Sequence, residues 1–291
     1  MNHSTQNLTL SPDSSIDLQM HTLYSDGKWT PEALIDHLIS EGFGLAAITD
    51  HDRVDINAAL QQLAIAKGFP LLVAVEMTCS WKGEMTDLLC YGFDPENNVL
   101  GDLARDILIR QQDNTRMVYE YLLKHGFTFP QAESDTVDPL TAILDAPVAR
   151  QPHDIVALMQ KHEYGKGDPS LGRILRDAGI DFATHDPAAV VDAAHRSGAV
   201  CLIAHPGRSD GFVCYDTDLL DEFRSAVPVD GLEVYYPLHS PEQTAMFQAY
   251  AQKHDLLTSS GSDSHTPDKP PIKYRAELSR KLLERLGIQI K

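Results

Sequence analysis

The chain has 291 residues, 43% of them hydrophobic, and a formal net charge of −18 at pH 7. This length accommodates one large α/β domain or two ordinary domains, with enough apolar side chains to bury a core. The acidic balance, with an isoelectric point near 5.0, argues against long nucleic acid as a partner, because its capture requires a basic surface. A small phosphorylated partner is compatible with this negative charge, since bound cations make the local electrostatic potential positive.

Residues 1–15 are expected to form a polar tail. They contain neither the basic segment nor the apolar segment of a secretory signal peptide, and no apolar run in the chain approaches membrane-spanning length. The four cysteines show no metal-binding spacing and are expected to be reduced. We therefore expect a cytoplasmic protein that has no membrane partner.

The first strand is expected just after this tail. Apolar Ile16 and Leu18 alternate with polar residues, and the pattern breaks into a turn at residues 25–27. The strand therefore delivers His21 and Asp26 to its carboxyl end. In barrel enzymes the active site lies at the carboxyl ends of the strands.

Strands, polar tips and helices then alternate along the chain. A helix is predicted from Thr30 and Pro31, an N-cap followed by proline, to about Gly42. Further strands are predicted at 45–48, 71–75, 77–80, 86–91, 199–204, 231–235 and 256–260. Further helices are predicted at 55–67, 100–125, 187–197, 218–225, 241–253 and 275–286. This repeat indicates a right-handed α/β winding with parallel strands, apart from a hairpin at 77–91.

The alternation stops between about residues 126 and 186, where proline, glycine and charged residues interrupt short amphipathic pieces. We expect residues 16–291 to form one barrel-like domain that this mostly helical insertion interrupts and caps.

Residues that can bind a metal ion follow the predicted strands. In chain order they are His21, Asp26, His51, Glu76, Asp87, His205, Asp263 and His265. Each alone has an ordinary structural explanation, such as a helix N-cap or a surface histidine. Together they fit several divalent ions with shared carboxylates better than one structural zinc. Such ions activate water and stabilise phosphoryl oxygens, which favours phosphoester hydrolysis, although amide or lactone hydrolysis uses a similar ligand set.

Five short motifs carry most of these residues. They are Asp17 to Gly27 (compare D-L-H-x-H-T-x-x-S-D-G), Thr49 to Asp52 (T-D-H-D), Val75-Glu76 (V-E), Ala204 to Arg208 (A-H-P-G-R) and Gly261 to His265 (G-S-D-x-H). In combination they resemble the polymerase and histidinol phosphatase (PHP) family of metal-dependent phosphoesterases. The resemblance implies a distorted seven-stranded (β/α) TIM-like barrel. It also suggests the subgroup with a helical insertion that hydrolyses nucleotides or nucleotide ends.

The resemblance implies a role for each residue. Two or three ions (manganese, iron or zinc) would be held, the first by His21, Glu76 and Asp263, the second by Glu76 and His205, and the third by Asp26, His51 and His265. Asp263 and His205 would also lie near the reacting water as proton acceptors. His153, in the insertion's version of an R-P-H motif, and Arg208 would face the substrate phosphate.

Three positions depart from the family pattern. Gln19 stands in place of the first histidine, Asp87 in place of a strand histidine, and Gln151 in place of the insertion arginine. Glutamine is a weak neutral oxygen ligand, and aspartate is a harder ligand than imidazole, so both ion sites should be altered. Asp87 is either a ligand or a buried hydrogen-bonded acid. Arg150 or Arg53 could replace the missing phosphate contact.

Other polar residues have weaker signals. His239 and Glu233 are candidates for the mouth of the site. Glu233 could equally be a structural acid paired with a neighbouring arginine, and His239 an ordinary residue before the helix that begins at Pro241. His185 is expected on a surface or helix face.

The sequence thus predicts a phosphoester hydrolase, with a small phosphorylated substrate, in the first instance a nucleotide. The alternatives are a degenerate PHP barrel that binds a phosphorylated ligand or a partner with little hydrolysis, or a metal hydrolase of another bond type.

Overall fold

A computed structural model describes residues 4–131 and 136–291 of the chain. Parts of the predicted tail (1–3) and of the predicted insertion (132–135) lie outside the described residues. The described strands are β1 (Thr9–Leu10), β2 (Ser15–Asp17), β3 (Leu45–Ala47), β4 (Leu71–Leu72), β5 (Ala74–Met77), β6 (Ser80–Trp81), β7 (Glu84–Met85), β8 (Leu88–Tyr91), β9 (Val200–Ile203), β10 (Gly231–Tyr235), β11 (Leu257–Ser260), β12 (Tyr274–Arg275) and β13 (Gln289–Ile290).

The described α-helices are α1 (Pro31–Ser40), α2 (Asn57–Lys67), α3 (Leu100–Lys124), α4 (Pro139–Leu144), α5 (Gln151–Lys161), α6 (Leu171–Asp177), α7 (Pro187–Arg196), α8 (Thr217–Ala226), α9 (Pro241–Lys253) and α10 (Arg280–Arg285). Short 3₁₀ helices lie at Val54–Ile56, Val148–Arg150 and Ala276–Ser279. No helix in the described ranges combines the length and the apolar character needed to cross a bilayer.

The chain forms two compact units. The first consists of Met1–Ala104 and His185–Lys291, and the second of Arg105–Thr184. All strands described above belong to the first unit. The second is helical and has an apolar core of its own, which includes Val118 and Met159.

The strands of the first unit form two main sheets. One has the order β11-β10-β9-β8-β5, and the other has the order β12-β2-β3-β4. Neighbours β9, β10 and β11 are parallel, as are β2, β3 and β4, whereas β8 runs antiparallel to both of its neighbours. The α/β class is therefore confirmed. The strands described here form these two main sheets and two separate pairs, β1 with β13 and β6 with β7, and the closed seven-stranded barrel stays a prediction.

Backbone hydrogen bonds beyond the strand ends join the two sheets. The Leu18 N–H donates to the Ser260 carbonyl (3.0 Å), and the Glu76 N–H donates to the Thr49 carbonyl (3.2 Å). The carboxyl ends of β2, β5 and β11 consequently share one edge.

Several local signals produce the expected elements. The Thr30 side chain accepts a hydrogen bond from the Ala33 N–H at the start of α1, as its N-cap position predicts. The hairpin is confirmed at its predicted turn, where Trp81 of β6 lies opposite Glu84 of β7. The strand that pairs antiparallel with β8 is β5, which places Val75 opposite Cys90, and not the predicted strand 77–80. Strand β1 lies within the segment expected as a polar tail and pairs with β13.

The predicted last helix at 275–286 begins too early. Arg275 instead belongs to β12 and pairs with Ser15 of β2, and α10 begins at Arg280. The reason is a long-range contact: the Ala276 N–H donates to the Ser14 carbonyl (2.9 Å), which holds the chain extended where local propensity alone favours a helix.

Candidate metal centre

The segment that carries His21 lies between two other segments with candidate ligands. On one side the His21 N–H donates to the Ser264 carbonyl (2.9 Å). On the other side the Thr49 N–H donates to the Met20 carbonyl (2.8 Å), and the Glu76 N–H donates to Thr49 in turn. Strand ends from opposite parts of the chain are therefore adjacent.

His21, Glu76 and Asp263 form the first cluster. The Nε2 atom of His21 lies 3.1 Å from Glu76 Oε2 and 3.1 Å from Asp263 Oδ1. The His21 side chain is fully buried, yet neither of its ring nitrogens has a hydrogen bond of good geometry among the described residues. Buried polar atoms without partners are costly. Two carboxylates and one imidazole that converge in this way fit a divalent cation.

His21, Asp26, His51 and His265 form the second cluster. The His21 ring stacks on those of His51 and His265, with centroid distances of 4.8 and 4.2 Å. Asp26 Oδ2 lies 3.2 Å from His265 Nε2. Burial would raise the pKa of Asp26, but the nearby His51, His265 and His21 lower it well below its usual range. The carboxylate is therefore charged and ready to accept a cation.

His51, Glu76 and Asp87 form the third cluster, and His205 lies beside it. The Nε2 atom of His205 is 3.1 Å from Glu76 Oε1 and 4.0 Å from Asp87 Oδ2. Burial raises the pKa of Asp87 well above its usual range, and the charges of Glu76 and Asp52 raise it further. Glu76 thus presents one oxygen to the first cluster and the other to His205, which is the arrangement of a bridging carboxylate.

Gln19 is fully buried and touches this bridge. Its Nε2 donates to Glu76 Oε2 (3.0 Å), and its Oε1 has no partner among the described residues. A side chain at Gly261 would come within 2.5 Å of both Gln19 Cβ and Glu233 Oε1, so only glycine fits there. In this orientation the Gln19 amide acts as a hydrogen-bond donor to a candidate ligand.

Left-handed backbone occurs at three polar residues of this region. Asp52, His205 and Asp263 have φ values of 54°, 27° and 54°. Such conformations cost non-glycine residues free energy and are frequent at functional sites.

Two buried acids that the sequence did not single out hold the loops of the site. Asp50 accepts hydrogen bonds from the Thr22 N–H (2.7 Å), the Thr22 hydroxyl (2.6 Å) and the Ser25 hydroxyl (2.6 Å). Asp17 accepts from the N–H groups of Ser262 (3.0 Å) and Ile272 (2.9 Å). Asp50 therefore shapes the loop of Asp26, and Asp17 shapes the loop of Asp263. Both residues lie inside the motifs described above, but their sequence positions alone do not reveal which loops they hold.

Glu233 is a buried acid whose described partner is the backbone of His205 and not the neighbouring arginine expected for a structural role. Its side chain is fully buried, and its Oε2 accepts a hydrogen bond from the His205 N–H (3.0 Å). Burial raises the pKa of Glu233 well above its usual range, although the bond from His205 opposes this shift.

The surface position expected for His185 is wrong. The residue is buried, and its Nε2 lies 3.0 Å from Asp52 Oδ1, which also accepts from the Thr78 N–H (3.1 Å). The Thr78 hydroxyl in turn lies 3.3 Å from His51 Nδ1. Since the partners of His185 lie more than a hundred residues away in the chain, no local pattern could reveal this burial.

Arg208 lies on the loop after β9, close to His205. Its guanidinium forms two hydrogen bonds with Asp210 (2.6 and 3.1 Å) and sits 4.1 Å from the Phe212 ring centroid. The Phe212 ring contacts that of His205 edge-on at 5.0 Å. Arg53, beside Asp52, binds Asp55 and the Tyr24 carbonyl (2.8 Å).

His239 has both ring nitrogens bonded to backbone. Its Nε2 lies 3.0 Å from the Gly207 nitrogen, and its Nδ1 lies 3.1 Å from the Val234 carbonyl oxygen. The ring therefore donates from Nδ1 and accepts at Nε2, which requires the neutral form.

The remaining candidates belong to the helical unit. His153 is exposed in the first turn of α5, with its ring centroid 5.2 Å from that of Phe182. Arg150 pairs with Asp154 at 3.6 Å. Gln151 is fully buried, accepts from the Thr115 hydroxyl (3.0 Å) and donates to backbone carbonyls within the same unit. Gln151 therefore has a structural role where the family pattern has arginine.

Comparison with known proteins identifies similar enzymes. No protein-family model matches the chain. A 3',5'-nucleoside bisphosphate phosphatase of Chromobacterium violaceum is 28% identical over 274 residues, which cover 89% of this chain and 94% of that protein. A 5'-3' exoribonuclease of Haemophilus influenzae is 26% identical over 257 residues, covering 86% and 90%.

The fold has a solved counterpart. A crystal structure from Bifidobacterium adolescentis, described as a metal-dependent phosphoesterase, superposes with a TM-score of 0.70 at 23% identity and covers 95% of this chain and 98% of that one. At that identity the likeness shows a shared fold. The nucleoside bisphosphate phosphatase and the exoribonuclease are both named as enzymes that cleave phosphate esters, which is the class of reaction that the sequence predicts.

Proposed function

We propose that the protein is a metal-dependent phosphoesterase that removes a phosphate monoester from a nucleotide or a nucleotide end. The observation that carries this proposal is the set of three overlapping ligand clusters at one edge of the sheets. Glu76 contributes to two of them, and so do His21 and His51. Shared ligands of this kind suit neighbouring ions.

The proposed ligands follow the clusters. His21, Glu76 and Asp263 would hold one ion, Glu76, His205 and Asp87 a second, and Asp26, His51 and His265 a third, with manganese, iron or zinc as the metal. When bound, such ions supply an acidified water and positive charge for phosphoryl oxygens. Gln19 is assigned to hold Glu76, because its amide donates to that carboxylate.

The other residues would bind substrate and move protons. Arg208 would exchange its partner Asp210 for the substrate phosphate, since guanidinium binds both in a bidentate manner. His205 and Asp263 are the proposed proton acceptors. His153 is proposed as a phosphate contact and Arg150 as a further one. His239 is proposed to support Gly207 through its bonded ring nitrogens.

A nucleotide is the proposed substrate because one relative is named as a nucleoside bisphosphate phosphatase and another as an exoribonuclease. Among such nucleotide substrates, the net charge of −18 favours short ones, since an acidic surface repels a long polyanion.

The test combines metal analysis with activity. Protein purified without added metal is examined by elemental mass spectrometry, and phosphate release is measured on a panel of nucleotides, with amides and lactones as comparison substrates. Two or more equivalents of a transition metal together with phosphate release support the proposal. Lack of turnover on every phosphate ester after addition of manganese, iron or zinc contradicts it.

A second candidate function is a binding protein with little hydrolysis. The specific observation in its favour is that the Gln19 amide donates to Glu76 at a position where the family pattern has histidine. In that case Gln19→His should raise a very low phosphate release severalfold, whereas Gln19→Leu should not. If the unmodified protein is active and Gln19→His only lowers its activity, the binding function is wrong.

A further inference from the structure

Tyr236 lies at the edge of the candidate centre and belongs to none of the motifs in the sequence. It directly follows β10, and its side chain is buried, with 6% of the residue exposed. Its ring faces those of His205 and His239, at centroid distances of 5.5 and 5.1 Å. The hydroxyl is therefore held in place by packing on two sides.

The hydroxyl of Tyr236 donates a hydrogen bond to Asp263 Oδ2 (3.3 Å). The other carboxylate oxygen, Oδ1, lies 3.1 Å from His21 Nε2 and 3.6 Å from His265 Nδ1. The two oxygens thus have different neighbours: the phenol binds one, and the imidazoles of the first and second clusters surround the other.

The backbone of Asp263 leaves this carboxylate little other support. The residue has a left-handed conformation, and its N–H donates to the Gln19 carbonyl (2.9 Å). Its own carbonyl accepts from His265 Nδ1 (2.8 Å). These bonds fix the main chain at Asp263 but not the rotation of its carboxylate group.

We propose that Tyr236 is a positioning residue of the metal centre, whose hydroxyl turns the Asp263 carboxylate so that Oδ1 faces the first cluster. The inference rests on the proposed function, in which Asp263 is a ligand. A partner that orients a ligating carboxylate in this way typically changes metal affinity by about 10- to 100-fold when it is removed.

The neighbouring residue provides a matched control. Tyr235 is the last residue of β10, is half-buried, and packs against the apolar core of the first unit. Tyr236 instead contacts the rings of His205 and His239. Replacing either tyrosine with phenylalanine therefore removes the same hydroxyl group from different surroundings.

The experiment compares Tyr236→Phe with Tyr235→Phe and the unmodified protein. Manganese binding to metal-free protein is measured by titration calorimetry, thermal unfolding is measured without metal, and kcat and KM are measured on the best substrate of the nucleotide panel. We expect Tyr236→Phe to weaken manganese binding about tenfold and to lower kcat with little change in KM, because the phenol contacts the ligand and not the substrate. Tyr235→Phe should leave manganese affinity and kcat unchanged.

Unchanged manganese affinity in Tyr236→Phe overturns the inference, as does an equal loss in both variants. If the unmodified protein binds no manganese, the inference is also wrong. Manganese binding without hydrolysis of any phosphate ester would contradict the proposed function alone, and the affinities of the two variants would still decide the role of Tyr236.

Discussion

Among single side chains, His21 has the most unusual surroundings. It is fully buried between the stacked rings of His51 and His265. Burial lowers its pKa, but Asp263 and Glu76 outweigh this effect, so that the pKa of His21 is well above its usual range. An imidazole in contact with several carboxylates supplies the positive charge that a bound cation would supply in its place. Cation binding should therefore be accompanied by proton release.

Removal of one candidate ligand should abolish activity without unfolding the protein. We expect His51→Ala to lower phosphate release by more than about 100-fold, beyond the effect usual for residues that only support a ligand. His125→Ala is the control, because this histidine is exposed in the helical unit and stacks on Tyr121. Circular dichroism checks the fold. Activity close to that of the unmodified protein would remove His51 from the site.

The sequence predicts which residues meet here better than it predicts what supports them. His21, His51 and Asp263 follow strands in recognisable motifs, and the carboxyl ends of parallel strands lie on one edge. Tyr236 and Asp17 act through partners 27 and 245 residues away, and a contact of this kind leaves no periodic trace in the chain. The roles of Gln19, which binds Glu76, and of Gln151, which binds Thr115, likewise follow only from hydrogen bonds in the structure.

At the scale of the elements, the start of α9 holds the loop that carries Arg208. Ser240 and Gln243 form a reciprocal capping box, and the Gln243 amide also donates to the Gly207 carbonyl (2.9 Å). His239 accepts from the Gly207 N–H on the other side. A methyl group at Gly207 would come within 2.7 Å of His239, so glycine is required for this close approach.

The bond between His239 and Gly207 should make stability depend on pH. Burial lowers the pKa of His239 to about 4, from 6.5 in the unfolded chain, with a small opposing effect of the bond to Val234. Below pH 6.5 the unfolded state takes up a proton that the folded state does not, so this contribution to stability is complete above 6.5 and falls toward pH 4. As pH falls from 6.5 toward 4, the free energy of unfolding measured with denaturant should decrease more steeply for the unmodified protein than for His239→Gln. Parallel curves would contradict the prediction.

The loop of Asp26 should depend on Asp50 for its shape. Asp50→Ala removes the acceptor of three short hydrogen bonds and leaves buried donors unpaired. We expect a loss of about 3 kcal/mol in the free energy of unfolding, since bonds to charged groups contribute about 1.5 to 3 kcal/mol each. Asp36→Ala is the control, because Asp36 is exposed and its ion pair with Lys67 lies at the surface. Equal effects of the two changes would contradict a special role for Asp50.

Elements with strong local signals were predicted well. The bounds of β10 and α9 agree with those expected from alternation and from the Ser240-Pro241 helix start. The predicted start of the last helix is wrong, because the pairing of Arg275 with Ser15 overrides the local preference for a helix. The expected limits of the helical insertion stay a prediction, and the second compact unit begins within α3 at Arg105.

For the whole molecule, charge should govern the preferred length of the substrate. A net charge of −18 repels a polyanion over a distance of about 30 Å at 0.01 M salt, but over only about 8 Å at 0.15 M. We therefore expect the ratio of kcat/KM for an oligonucleotide to that for a mononucleotide to rise with salt over this range. Sodium chloride and potassium acetate series would separate screening from specific ion effects. A falling ratio would indicate a local basic channel for the longer chain.

Glu76 joins parts of the site that are far apart in the order of synthesis. His51, Glu76 and Asp87 leave the ribosome within the first third of the chain, whereas the first two clusters also need Asp263 or His265 near its end. An ion captured early would meet only the third cluster, and Glu76 would have one oxygen free until the last strands arrive. In the proposed centre, the full set of ions could therefore be acquired only after almost the entire polypeptide has been made.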